Sequence, residues 1–296
     1  MDPDEMLVPL NVFDEPETFR PPPPPPTCRI YVREPSAVQG GEPAQLRLNL
    51  VGGHSLWAHH LWNAGLSMAR YLDRHKSLVA GKTTLELGAA AGTPSLIAAI
   101  NGAACTVITD YPDQPLLDNI EKNVDENAGE AKQAGRVHTV GYKWGDDVTP
   151  LLALLPKTSP SPGFDHIFMA DLIFNHSEHK HMLQTCAASL APGGRVFTTF
   201  THHIVKWAWR NDRFWDVATR LGFVYVQIAE EQWEPMFPED PGSEAVRGTV
   251  HCFVLMRKDE APADFFDGAV PYVRNAPPEG MEVMSDSGNS SESDAA

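Results

Sequence analysis

The sequence predicts an α/β domain: a seven-stranded, mainly parallel sheet with helices on both faces and one antiparallel strand. Three observations lead there. Short strand-like apolar runs alternate with segments of helical periodicity from residue 83 to residue 221. The last two runs, 223–228 and 249–256, have no long helical segment between them, which turns one strand antiparallel. The 296 residues are 42% hydrophobic and 9% aromatic. That suffices for a folded body of roughly 200–250 residues.

Taken in order, residues 54–74 read as a helix, with Leu56, Trp57, His60, Leu61, Ala64, Leu66 and Met68 on its apolar face. Residues 83–87 form a strand that runs into a Gly/Ala loop, and Pro94 opens the next helix at a first-turn position where its missing N–H costs nothing. Strand 105–109, helix 114–127 and strand 137–140 follow. The fourth strand is 165–170 and its helix runs from about 176 to 190. Pro192-Gly-Gly194 turns the chain into the fifth strand, 195–200. Helix 207–221 has Trp207, Phe214, Val217 and Leu221 as core candidates. No repeat of 20–50 residues is present.

Three regions are expected. Residues 1–26 form a disordered acidic arm ending in six prolines, Pro21 to Pro26, a stiff polyproline II spacer. Residues 27–260 form the folded domain with an N-terminal extension. Residues 261–296 form an acidic, largely disordered tail, rich in Ser, Asp, Asn and Gly from about 275. The net charge of −16 belongs to the ends: 1–20 hold six acids and one Arg, 259–296 hold nine acids and one Arg, and only −3 remains on 21–258. No basic stripe points to nucleic acid. No run of 18 apolar residues points to a membrane. The acidic, Pro-containing start is unlike a signal or transit peptide. Cys28, Cys105, Cys186 and Cys252 are scattered without a C-x-x-C pair, as in a reduced, cytoplasmic protein without structural zinc.

The loop Glu86-Leu-Gly-Ala-Ala-Ala-Gly-Thr-Pro94 carries the most information. In an open parallel sheet, ligands sit at the carboxyl ends of strands where the strand order reverses. Gly88 and Gly92 let the backbone approach a ligand, and the following helix offers free N–H groups. The spacing is G-x-x-x-G rather than the G-x-G-x-x-G of dinucleotide folds; a tight strand–helix turn without a ligand is the plainer alternative. Asp110 closes the second strand, where an acid can accept hydrogen bonds from both ribose hydroxyls of an adenosine ligand. Alternatively, it caps the next helix. Loop and acid together favour a nucleoside.

These residues resemble the seven-strand S-adenosylmethionine-dependent methyltransferases, over about residues 50–258. The resemblance implies a Rossmann-like sheet and S-adenosyl-L-methionine as cofactor. That family's first motif is an acid followed by three alternating glycines; here the positions read Glu86, Gly88, Ala90 and Gly92, so the middle glycine is replaced. The resemblance makes Trp62, Glu86, Gly88, Ala89, Ala90, Gly92, Asp110, Trp144 and Ala170 the cofactor-binding residues. Trp62 and Trp144 match tryptophans of the branch that methylates lysines of non-histone proteins; either also serves as an ordinary core residue. Leu56-Trp-Ala-His-His-Leu-Trp-Asn63, Thr109-Asp-Tyr-Pro112 and Asp171-Leu-Ile-Phe-Asn-His-Ser-Glu178 are similar to a fungal group that methylates the N terminus and lysines of elongation factor 1-alpha. The same group has been labelled nicotinamide N-methyltransferase.

The end of the fourth strand is the expected transfer site. Lysine-directed relatives read D-x-x-Y here; this chain reads Asp171-Leu-Ile-Phe174, without the tyrosine hydroxyl. The resemblance puts Asp171 beside the incoming amine as an orienting group, Phe174 on its channel wall and Asn175 within hydrogen-bond reach. Asn175-His-Ser-Glu178 also reads as a capping box. The Thr201-His202-His203 segment after the fifth strand is the next candidate. His176, His179 and His181 do not complete a metal set, and no Ser or Cys sits in an activating elbow. The expected activity is therefore methyl transfer to an N-terminal amine or lysine of elongation factor 1-alpha. A small-molecule amine methyltransferase of the nicotinamide type and a cofactor-binding module without turnover are the alternatives.

Overall fold

The computed structural model describes residues 24–159 and 161–277. The arm and tail expected at the two ends fall outside these residues over 1–23 and 278–296. The first element is a hairpin that the sequence reading did not foresee. Strands β1 (Thr27–Val32) and β2 (Gln45–Leu50) pair antiparallel, from Thr27 opposite Leu50 to Val32 opposite Gln45. Leu46 and Leu48 of β2 are fully buried, whereas Ile30 and Val32 of β1 face outward. Just past β1, Arg33 is buried and forked onto Asp73, with Nε 2.9 Å from Oδ2 and Nη2 2.7 Å from Oδ1. It also donates to Glu42 and to the carbonyl of Pro43 across the hairpin.

Residues 54–62 correct the sequence reading. They are turns, and helix α1 covers only Asn63–Arg74. The cause is local. The His54 ring accepts the Leu56 N–H at 3.1 Å and so competes with helical pairing, and Trp57 stands in the left-handed region at φ 61°. Trp57 is 48% exposed instead of lying on a buried face.

The main sheet is built from β3 (Thr83–Leu87), β4 (Cys105–Asp110), β5 (Val137–Gly141), β6 (Phe164–Ala170), β7 (Leu190–Thr201), β8 (Phe223–Gln232) and β9 (Thr249–Arg257). Their order is β5-β4-β3-β6-β7-β9-β8. All neighbours are parallel except β9, which runs antiparallel to both β7 and β8. The one antiparallel strand is as expected, because β8 returns through β9 by a connection whose helix, α8 (Glu244–Gly248), is five residues long.

Helices α2 (Thr93–Ile100) and α3 (Gln114–Asn127) lie with α1 and the hairpin on one face of the sheet. There Met68, Leu72, Leu96, Ile97, Ile120 and Val124 pack with Leu46 and Leu48. Helices α6 (His179–Ser189) and α7 (Ala208–Arg220) cover the other face through Met182, Leu183, Phe214 and Trp215. Short helices α4 (Gly129–Gln133) and α5 (Thr149–Leu152) complete the set. Period-two alternation decides which side chain joins which core: Ile167 and Met169 face α6 and α7, and Phe168 between them faces the α1 side.

Residues 261–277, assigned to the tail by composition, lie on the domain. Val270 N–H pairs with the Gln227 carbonyl at 2.9 Å, and Tyr272 Oη donates to Asp212 Oδ1. Asn275 N–H donates to Asp212 Oδ2 at 2.6 Å, and Arg274 is forked onto Asp216. Asp212 is buried, so this strap supplies the donors its carboxylate needs.

Candidate active site

The sheet changes direction between β3 and β6: from β3 the chain builds outward to β4 and β5, then returns to the other side of β3 with β6. The crevice at the carboxyl ends of these strands is where such sheets bind ligands. The loop after β3 fills its floor. Gly88, Ala90 and Gly92 all have left-handed backbone, at φ 57°, 49° and 73°. The alternating requirement for positive φ is thus real at all three positions, and Ala90 meets it with a methyl group.

Gly88 serves a second purpose. A Cβ there would come 3.0 Å from Cζ2 of Trp144 and 2.8 Å from Cδ2 of Leu172, so both side chains close directly over the backbone. Half-buried Trp144 is therefore a wall of this crevice as well as a neighbour of the α6-side core. Ala89 N–H binds the Thr109 carbonyl at 3.0 Å and carries the loop across to β4.

Asp110 ends β4 and caps no helix; the N-cap of α3 is Asp113. Its Oδ2 accepts the Ala90 N–H and its Oδ1 the Tyr111 N–H, both at 2.7 Å. Each oxygen keeps a further lone pair for a ligand hydroxyl. Burial raises the Asp110 carboxyl above its usual range, against the two backbone bonds and the nearby His54. Glu86 is placed differently. It is 1% exposed and its Oε2 accepts the Ser95 N–H in the first turn of α2 at 2.9 Å. Burial, with Asp110 adding to it, pushes its carboxyl up to about 8 despite the Ser95 bonds. Glu86 braces the helix beneath the loop.

Ala170 closes β6, half-buried, paired with Thr199 of β7. Asp171 then turns the chain at φ 56°, with its N–H on the Thr199 carbonyl at 2.7 Å. Its carboxylate, 3% exposed, accepts the Thr201 N–H on Oδ1 at 3.4 Å and meets His203 Nε2 on Oδ2 at 2.9 Å. Trp62, at the start of α1, lies 6.5 Å from Phe174 and 5.2 Å from His203, ring to ring. Phe237, in the segment between β8 and β9, stands 6.0 Å from Trp62 and 6.2 Å from His203. His203, the partner of Asp171, is thus flanked by Trp62 and Phe237, with Phe174 on the other side of Trp62.

Asn175 borders this region but forms no capping box. It precedes the short helical turn 176–178 and accepts the Glu178 N–H with its backbone carbonyl at 3.0 Å; no side-chain cap bond forms. Its half-buried side chain is left available. Phe237 carried no signal in the sequence, because a Phe between two prolines (Pro235 and Pro238) in a connection reads as a turn. His203 was visible only as one of two histidines after a strand.

The lysine methyltransferase family model matches residues 42–206, from the turn before β2 through the Asp171–His203 pair. A protein of Schizosaccharomyces pombe named protein N-terminal and lysine N-methyltransferase efm7 is 40% identical over 82% of this chain and 94% of its own length. Proteins of the same name are 39% identical in Emericella nidulans, over 84% of this chain and 96% of theirs, and 40% identical in Gibberella zeae, over 85% and 96%. With a matching family model over more than half of its length and relatives of this identity along nearly their whole chains, this protein belongs to the lysine methyltransferase family.

Proposed function

We propose that this protein is a cytoplasmic, S-adenosylmethionine-dependent N-methyltransferase that modifies the N-terminal amine, a lysine, or both, of translation elongation factor 1-alpha. The observation that carries the reading is the adjacency of two half-sites across the β3–β6 crevice. On one side stand Asp110 and the left-handed 88–92 loop under Trp144. On the other stands the Asp171–His203 pair, with Trp62 and Phe237 against His203 and Phe174 next to Trp62. A cradle that any Cβ at residue 88 would fill, next to a carboxylate with lone pairs to spare, fits an adenosine and its ribose. Gly88, Ala89, Ala90, Gly92, Asp110 and Trp144 hold it in this reading, with Trp62 and Ala170 along its methionine end. When bound, the cofactor supplies a sulfonium methyl group.

The chain's own residues then have to present an unprotonated amine in line with that methyl, at about 3 Å. Asp171 is 3% exposed and its partner His203 is flanked by Trp62 and Phe237, so an amine held there would lose much of its water, and desolvation lowers an amine's pKa. An α-amino group, with reference pKa near 8, is the easier substrate; lysine, near 10.4, asks more of the site. Asp171 orients the N–H bonds, and Phe174 walls the channel. Asn175 offers its amide from the rim. The substrate assignment rests on the resemblance of the 56–63, 109–112 and 171–178 segments and on the names of the relatives.

The test is incubation with radiolabelled S-adenosylmethionine and purified elongation factor 1-alpha, followed by peptide mapping. Label on the N-terminal peptide or on a lysine supports the reading. Asp171→Ala should then lower the rate by about 100-fold or more, an orientation loss of roughly 3 kcal/mol. Label on nicotinamide with none on protein overturns the protein substrate, and label on neither overturns turnover.

A further inference from the structure

We propose that His203 is the catalytic base of this site: it takes the proton from the incoming ammonium, with Asp171 holding its ring in the required tautomer. The inference rests on the methyl-transfer reading above and assigns a role that Asp171 cannot fill. An isolated carboxylate beside the amine would favour the ammonium form, which has no lone pair to attack with. Asp171 already holds the Thr201 N–H on Oδ1 and His203 on Oδ2, and the lone pair left on each oxygen can orient the amine without being the base that deprotonates it. A carboxylate bound to Nε2 keeps the proton on that nitrogen and leaves Nδ1 as the acceptor. Among the described residues His203 Nδ1 has no hydrogen-bond partner, and the side chain is 13% exposed. The ring is flanked by Trp62 at 5.2 Å and Phe237 at 6.2 Å, the same rings that enclose the amine channel.

The proton balance is simple. One N–H bond of the ammonium breaks, its electron pair stays on nitrogen, and the proton moves to Nδ1 of His203. The imidazolium so formed is paired with Asp171 and later releases the proton to water. The charged and titratable groups facing His203 are Asp171 at the end of β6, Asp240 between β8 and β9, and its chain neighbour His202. Burial alone would lower the His203 pKa, but the charge and hydrogen bond of Asp171, with Asp240 adding to them, raise it above the usual value. The Asp171 carboxylate thus strengthens His203 as a proton acceptor, the direction proton abstraction requires.

His203→Gln and His203→Ala separate this role from mere positioning, because Gln can still donate to Asp171 but cannot take a proton. With a peptide bearing a free N-terminus, both variants should lose about 100-fold or more in kcat. S-adenosylmethionine affinity by calorimetry should change less than threefold. The wild-type rate should climb with pH through the His203 ionisation, and this limb should vanish in the variants. Added imidazole should partly restore His203→Ala. Wild-type-like activity in His203→Gln, with its pH limb intact, overturns the proposal, and so does restoration by Gln but not by imidazole. An independent readout needs no turnover: in nitrogen-15 spectra of the protein without cofactor, neutral His203 should carry its proton on Nε2. A proton on Nδ1 overturns the base even if the peptide proves not to be the substrate, and a wild-type protein that labels no amine overturns the transferase reading instead.

Discussion

The backbone N–H of Ala90 points at Oδ2 of Asp110 from 2.7 Å, so the acid at the end of β4 and the loop after β3 are one unit. A substitution at either residue therefore acts on both the loop's shape and the crevice it lines.

Asp110→Ala should weaken S-adenosylmethionine binding by roughly 1.5–3 kcal/mol, the scale of hydrogen bonds to a charged group. The structure adds a second effect. The Ala90 and Tyr111 N–H groups lose their acceptor, so the urea midpoint should fall as well. Calorimetric titration and urea unfolding on the same variant check the two parts; unchanged affinity would remove Asp110 from the cofactor site.

Ala90→Gly should stabilise the protein. An L-residue in left-handed backbone costs about 1–2 kcal/mol, of which glycine's extra freedom in the unfolded chain takes back roughly 0.5–1. A net gain of about 0.5–1 kcal/mol should appear as a higher urea midpoint with an unchanged slope. Gly88→Ala is the opposite case. It adds strain at φ 57° and drives a methyl into Trp144 and Leu172. Both stability and cofactor affinity should drop, and retention of both would show that Trp144 moves freely.

Glu86 gives a pH signature. Its folded-state pKa, near 8, lies above the 4.5 of an unfolded glutamate. Between those values the native state holds a proton that the unfolded chain has released. Stability from this group is full below pH 4.5 and is lost as pH rises through about 8. Glu86→Gln keeps a neutral acceptor for the Ser95 N–H and cannot ionise. Its stability relative to wild type should therefore rise from pH 5 to pH 9, as read from urea midpoints; parallel curves would mean that Glu86 is charged in the native state.

Cutting the chain after residue 277 should leave stability unchanged, whereas cutting after 260 should not. The longer deletion removes Tyr272 and Asn275 and leaves the buried Asp212 carboxylate short of donors. Breaking a buried charged network of this kind costs on the order of 3 kcal/mol. Thermal unfolding of the two truncations, with Tyr272→Phe as the single-bond control, checks it.

The parallel sheet was legible because each strand is a short apolar run between turn residues, and because a period of two sends alternate side chains into different cores. Asp110 and the 88–92 loop were legible because their positions at strand ends are set by topology. Other features depend on contacts distant in sequence. The His54 ring whose local bond to Leu56 delays the helix is itself held from far along the chain, by Asp113 Oδ2 at 2.9 Å. The strap over 261–277 is held by Asp212 and Asp216 of α7, which composition could not reveal. The Asp171–His203 pair spans 32 residues and arises only because β6 and β7 end side by side.

The Arg33 fork has a consequence for how the chain can be divided. A fragment starting at residue 42 retains β2 but discards β1 and the guanidinium, leaving Asp73 of α1 a buried anion without its cation. A fragment meant to fold alone should therefore keep β1 and Arg33. A single nick between Gly40 and Gly41 is another matter. Both glycines are exposed, and the two pieces would still share the six-residue β1–β2 register, with Arg33 reaching over the gap to Glu42 and Pro43. Two such polypeptides should associate into one working molecule, so the hairpin tip is a natural place to split this protein into complementing halves.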